Sequence, residues 1–252
     1  MRMLFAVCLS IFILLNGSYA KAETIDLNLK ENEFAITFLP LPDGEAAFLH
    51  TADGHHYLIN TGTKESRPLI FSYMKKFAIH KLSGLVITEK QEKVASFIGR
   101  LKKDYRLQHV YGKEMRAGEV KQLQPGLELK ILHNGIKQKE GIDFSIKHFD
   151  SRFLWMSSTS MKAEKSLLKE ELKDINIVKT PNFAQDDSMS YSLLTHIDPQ
   201  TAIIFKKREV LPGAELMEML HQLWIDIYYT KKHGLVMIKF NQVGYEVLTI
   251  RN

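Results

Sequence analysis

The chain has 252 residues, 45% of them hydrophobic and 25% charged, with a formal charge of +5. That composition excludes a fibrous or disordered chain, and the length suits one globular domain with a substantial core. The single cysteine, Cys8, lies in the first apolar run, so the rest of the chain offers no disulfide, thiolate metal site or cysteine nucleophile.

Arg2 precedes an apolar run over residues 3–15, and residues 16–22 supply small side chains at cleavage spacing, the pattern of a secretory signal peptide. The run is shorter than the roughly 20 residues a bilayer span needs. Cleavage after Ala20 or Ala22 divides the chain into a signal, residues 1–22, and one domain, residues 23–252. The expected product is secreted or extracytoplasmic with no stable span; an uncleaved segment would leave it membrane-anchored. Basic clusters (Lys75-Lys76, Lys102-Lys103, Lys206-Lys207-Arg208, Lys231-Lys232) are spread along the chain and form no single stripe.

Residues 34–39 alternate as a strand, and Pro40 to Gly44 turn the chain. Residues 46–51 and 57–59 form a hairpin around Ala52-Asp53-Gly54. Residues 67–77 read as a helix with Leu69, Ile70, Tyr73 and Phe77 inward. Residues 85–87 are a buried strand, and Val94, Phe97, Ile98 and Leu101 then recur at helical spacing. Strands follow at residues 109–111 and 127–132, and a second hairpin at residues 144–148 and 153–156. Residues 162–172 read as a helix, 175–179 as a strand, 182–188 as a loop too polar to bury, and 201–205 as a strand. Pro212-Gly213 opens a helix with Leu216, Met219, Leu220 and Leu223 on one side, and strands at residues 234–240 and 245–250 close the domain. Strand-rich halves interrupted by helices predict an α/β (α+β) fold in four layers, αββα.

The corner after residues 85–87 is the expected functional centre, because a site at the carboxyl end of a strand is open to solvent yet rigidly held. It holds no histidine. Thr88 with Gln91 makes a capping-box pattern, and Glu89 with Lys93 a favourable pair at helical spacing.

Several phrases resemble the metallo-β-lactamase fold, and most closely the extracytoplasmic domain of the ComEC late-competence DNA-uptake family. Residues 38–46, FLPLPDGEA, resemble that family's FLDVGQGDA opening; residues 57–62, YLINTG, resemble its ILIDTG; and residues 79–88 match the run into its metal-binding loop. Tyr229-Thr230 and residues 233–238 resemble its closing strands. The resemblance implies a metallo-β-lactamase-like sandwich. Active members carry Thr-His-x-His-x-Asp-His, which binds zinc or manganese and activates a water. Over that motif this chain has Glu89, Gln91, Lys93 and Val94. The Gly-Asp position falls at Ser157-Ser158, the Pro-His-His-Gly-Ser loop at Pro181-Asn182-Phe183-Ala184-Gln185, and the last histidine near Leu211. Glu45 and Asn60 replace aspartates. Amides are weak ligands, valine is none, and an ammonium opposes a divalent cation.

Other candidates are ordinary by pattern. His55-His56 lie in a hairpin turn, and His148 and Asp150 at another. His80, His109 and His133 fall on element ends as solvated or capping groups, and His196 and His221 on helical faces. Asp186-Asp187 with Ser188 and Ser190 suit either a polar loop or a site for calcium or a substrate hydroxyl. Ser157 to Ser160 lack a nearby base, and no Gly-x-Ser-x-Gly or phosphate loop is present.

The sequence therefore points to an exported, metal-free pseudoenzyme that binds a nucleic acid, an envelope protein or a wall polymer. Its cleft would be lined by Glu45, Asn60, Glu89, Gln91, Lys93, Ser158 and Asn182. The alternatives are an active phosphodiesterase or nuclease with zinc or manganese on a non-standard site, and a purely structural envelope protein. If a Glu89–Lys93 ion pair fills the emptied metal site, Lys93→Ala lowers stability by about 0.5 kcal/mol or more in denaturant titration; unchanged stability removes the pair.

Overall fold

The computed structural model describes residues 24–89, 94–136 and 140–251. The signal segment, Gln91 and Lys93 lie outside the described residues. The first sheet is built from β1 (Phe34–Phe38), β2 (Ala47–Thr51), β3 (His56–Ile59), β4 (Gly84–Val86), β5 (His109–Tyr111), β13 (Leu235–Phe240) and β14 (Tyr245–Ile250), in the order β14-β13-β1-β2-β3-β4-β5. The second contains β6 (Val120–Gln124), β7 (Leu127–Asn134), β8 (Ile142–His148), β9 (Ser151–Trp155), β10 (Ile175–Lys179), β11 (Thr201–Ile204) and β12 (Asp226–Tyr229), in the order β12-β11-β10-β9-β8-β7-β6.

Alternation builds the space between the sheets. Phe34, Ile36 and Phe38 of β1 project onto the inner face at a period of two, meeting Phe144, Phe153, Trp155, Ile177, Ile203 and Phe205. The aromatic rings dominate the packing: Phe38 lies 5.8 Å from both Phe153 and Phe205, and Phe144 stacks on Trp155 at 5.9 Å. The outer face of the first sheet packs on α1 (Arg67–Lys76) and α2 (Val94–Tyr105) through Ile70, Met74, Phe97 and Leu101. The second sheet packs on α3 (Met161–Leu167), α4 (Tyr191–Ile197) and α5 (Ala214–Gln222) through Leu167, Leu193, Leu194, Leu216 and Leu220. A short α6 (Thr230–His233) joins β12 to β13. The expected four layers are present.

Both sheets change from antiparallel to parallel partway across. In the first, β3, β4 and β5 run parallel; in the second, β9, β10, β11 and β12 do. Parallel strands place their carboxyl ends, and the loops that follow, at one edge. The loops after β4, β9 and β10 therefore gather at the same end of the sandwich, with the chain entering β2 beside them because β2 is antiparallel to β3.

Several expectations change. The strands β6 and β12 were not expected, and α4, expected only as a helical face carrying His196, runs over seven residues. The helix expected over residues 162–172 ends at Leu167. Leu69 is largely exposed, and Phe71 and Met74 are buried in its place. The segment 182–188 is partly buried, with Ala184 and Ser188 inside. No described helix is long and apolar enough to cross a membrane.

Candidate functional site

The corner after β4 is held by side chains from neighbouring strands. Thr88 is fully buried. Its N–H donates to Asn60 Oδ1 at 2.9 Å, and Asn60 Nδ2 donates to Thr88 Oγ1 at 2.8 Å. Asn60 sits at φ 59°, a left-handed conformation that asparagine tolerates well. From the other sheet, Ser157 Oγ donates to Thr88 Oγ1 at 2.8 Å, and Trp155 Nε1 donates to Ser157 Oγ at 3.0 Å. The Ile142 N–H donates to Thr88 O at 2.7 Å. These bonds tie the two sheets together at the functional edge.

Beneath the corner lies a buried ion pair. Lys179, the last residue of β10, faces the inter-sheet space and is fully buried. Its Nζ contacts Glu45 Oε2 and donates to Met156 O at 3.0 Å. The ammonium also stands 4.9 Å from the Trp155 ring and 5.7 Å from the Phe205 ring, so its charge rests against aromatic faces. Burial raises the Glu45 carboxyl to about 7, opposed by Lys179 and reinforced by the nearby Glu89 carboxylate. Lys179 was not among the residues expected to line the cleft, because a lysine at a strand end reads as solvated.

The loop after β9 is stapled by Asp143, whose Oδ1 accepts from Ser157 N at 2.7 Å and Ser158 N at 2.9 Å. Burial raises the Asp143 carboxyl against the lowering effect of those two N–H groups and of His133. Ser158 Oγ donates to Gly141 O at 3.1 Å, which points its hydroxyl to backbone. His133, expected as a solvated or capping group, is buried, 3.2 Å from Glu140 Oε2, which also accepts from Ser160 Oγ at 2.8 Å.

After β10, Asn182, Phe183 and Ala184 are left-handed in succession, at φ 44°, 55° and 59°. Such residues cost on the order of 1–2 kcal/mol each outside glycine, and such strain concentrates at functional sites. The turn is anchored by Gly213 N donating to Ala184 O at 2.8 Å and Gln185 Nε2 donating to Leu211 O at 2.8 Å. Asn182 is exposed, and Lys207 Nζ lies 5.0 Å over the Phe183 ring. Asp186 is the cap of α5, accepting from Glu215 N at 2.8 Å and Leu216 N at 3.1 Å. A Cβ on Gly213 would meet its Oδ1 at 2.1 Å, so glycine is required there. Ser190 caps α4 and donates to Glu164 Oε1 at 2.7 Å. Asp186 and Ser190 of that polar loop thus act as helix caps.

Glu89 lines a cavity of about 530 Å³ beside the corner, walled by Ile87, Val94, Tyr111, Met115 and Ile136. Its rim carries Glu114, Glu119, Lys113 and Lys121, with Lys121 paired to Glu119 at 2.8 Å. The edge thus brings together Glu45, Asn60, Ser158 and the Asn182 turn around the corner, with Leu211 exposed farther out.

As a metal site this donor set does not fit. Among the described residues no group of three histidine, cysteine, aspartate or glutamate side chains could hold an ion. The Glu45 carboxylate is already matched to an ammonium, and apart from Glu89 the other described positions carry amide, hydroxyl or aliphatic side chains, Asn60, Ser158, Asn182, Val94 and Leu211.

The histidines at the opposite end form a pair that the sequence did not suggest. His50 and His56 face each other across β2 and β3, with Nδ1 atoms 3.1 Å apart. His50 is buried, and burial keeps it well below the usual imidazole range. The turn reading holds for exposed His55, whose Nδ1 lies 2.8 Å from Ser83 Oγ. His148 is buried between Gly126 O at 3.0 Å and Asn32 O at 2.7 Å.

No family profile matches the sequence, and no curated protein matches it. Solved structures do resemble it. The metallo-β-lactamase fold protein YhfI from Bacillus subtilis aligns at TM-score 0.52 and 8% identity, over 79% of this chain and 96% of that one. A diphosphatase from the PhnP family aligns at 0.52 and 13% identity, over 86% and 99%. A long-form RNase Z from yeast aligns at 0.53 and 9% identity, over 87% of this chain and 49% of that one. The chain therefore has the metallo-β-lactamase fold. At these identities the likeness establishes architecture, and the activities in those names belong to those proteins.

Lys179→Met leaves a buried carboxylate unpaired and is expected to cost about 3–5 kcal/mol in denaturant titration, while Glu45→Leu with Lys179→Met recovers most of it. A single variant as stable as the parent would contradict this account. Glu45 takes its proton near 7 when folded, against an ordinary 4.5. Between those values the folded state binds more protons, so this group's contribution to stability falls as pH rises. Glu45→Gln lacks that slope, so the parent-minus-variant unfolding free energy is expected to decrease from pH 5 to 7.5.

Proposed function

We propose that this chain is an exported, non-hydrolytic relative of the metallo-β-lactamase-fold hydrolases, nearest in its phrases to the ComEC extracytoplasmic domain, and that it works by binding. The observation that carries the reading is the buried Glu45–Lys179 pair. It spends one of the two deeply placed carboxylates of the functional edge on an internal ammonium, the other, Asp143, being held by the Ser157 and Ser158 N–H groups, and so removes negative charge that a catalytic dication would need. The hydroxyl and amide groups of Ser157, Ser158 and Asn60 are similarly engaged in fixing loops.

The ligand's place in this reading is the cavity beside Glu89, whose size and apolar walls suit a small molecule or the side chains of a protein partner. Among the described residues the cavity carries three carboxylates and two lysines, a balance that favours an envelope ligand with an apolar body over a nucleic-acid strand. The hydrolase reading rests on neighbours named as a diphosphatase and an RNase Z.

The experiment is hydrolysis of bis(p-nitrophenyl) phosphate by the purified protein in added zinc or manganese, beside a low-salt DNA retention assay. The expected result is no metal-dependent turnover above that of Glu89→Gln, and no retention of single-stranded or duplex DNA. Metal-dependent turnover lost in Glu89→Gln overturns the non-hydrolytic reading, and salt-sensitive retention transfers the ligand to nucleic acid.

A further inference from the structure

We propose that His50 and His56 form a binding site for one imidazole-preferring divalent cation, Cu²⁺ or Zn²⁺, on the outer face of the first sheet. The residues occupy directly paired positions of antiparallel strands, which brings side chains of one face together. Two nitrogens on a tetrahedral ion with bonds of roughly 2.0–2.1 Å are about 3.3–3.4 Å apart. The Nδ1 atoms already stand 3.1 Å apart. Two bare lone pairs at that separation repel, so the contact is either an Nδ1–H of one neutral ring donated to the other or a cation held between them.

The surroundings favour competition by a cation. The two rings line a cavity of about 290 Å³ with Ile25, Asp26, Asn28 and Phe77, room for the waters that would complete a coordination sphere. Asp26 lines the same cavity with its carboxylate held locally, accepting from Asn28 N at 2.8 Å, so the two imidazoles are the protein ligands and water completes the sphere. His50 is packed against the rings of Phe48 and Phe77 at 5.7 and 5.0 Å, so its imidazole is rigidly oriented. Its Nε2 has no hydrogen-bond partner in the structure. Whether Nδ1 holds a proton or a cation, Nε2 is equally unsatisfied, so the case for a cation rests on the Nδ1 spacing and the adjoining cavity.

The site is independent of the proposed binding cavity. His50 lies about 17 Å of extended chain from Glu45 along and before β2. It is also on the helix-covered face of the sheet, whereas Lys179 faces the inter-sheet space. Metal bound here brings no phosphodiester turnover, so metal content and turnover are separate readouts.

The test is calorimetric titration of the purified protein with CuCl₂ and ZnCl₂, with electron paramagnetic resonance of the copper form. One Cu²⁺ per chain with hyperfine coupling to two nitrogens is expected. His56→Ala, and His50→Phe, which keeps a ring against Phe48 and Phe77, are each expected to weaken binding at least tenfold, and His221→Ala, an exposed helical histidine, to leave it unchanged. Absence of stoichiometric binding in the parent overturns the proposal. So does binding unaffected by both His50→Phe and His56→Ala.

Discussion

The contact between Lys179 and Glu45 crosses the middle of the sandwich, and the functional edge takes its character from it. An ammonium without water is tolerable only when its donors are used. Here they meet a carboxylate, a carbonyl and the faces of Trp155 and Phe205. The pair joins the chain entering β2 in one sheet to the end of β10 in the other, directly under the loops that gather at that edge. Thr88, Asn60 and Ser157 then close a second, uncharged lock above it. Two locks between the sheets leave the edge rigid, and both consume polar groups that could otherwise face a ligand.

The consequence is a division of labour along the edge. Where the resembled family would place its imidazoles and carboxylates, this chain spends its polar side chains on itself. Space for a ligand is displaced sideways, to the apolar cavity between the corner after β4 and the polar hairpin of β6 and β7. Glu89 touches both regions: its charge acts on Glu45, and its side chain lines the cavity.

Much of the fold was legible because buried strands repeat apolar residues. β1, β10, β11 and β13 are nearly continuous apolar runs and were found within a residue or two. β6 was missed because Val-Lys-Gln-Leu-Gln lies at a sheet edge, half solvated, with no apolar face strong enough to mark it. α4 was marked only by His196 on a helical face, without bounds, because its seven residues follow a polar loop and its beginning rests on one capping hydroxyl, Ser190. Positions of the edge such as Glu45, Asn60 and Ser158 were visible from phrase order. The partner of Glu45 was not, since no local pattern distinguishes a buried lysine from a solvated one. The His50–His56 contact depends on strand register, which five residues of intervening sequence do not specify on their own.

The succession of left-handed residues at Asn182, Phe183 and Ala184 shows that main-chain geometry and side-chain chemistry can part company. The turn keeps an unfavourable backbone shape although asparagine, phenylalanine and alanine have no common chemical task there. A shape of this kind is held by its anchors, the bonds from Gly213 and Gln185, and those are indifferent to which side chains the turn displays. The loop is thus a socket with one open position: Asn182 faces outward while Phe183 and Ala184 pack inward, so a new recognition group can be presented at 182 without redesigning the sandwich.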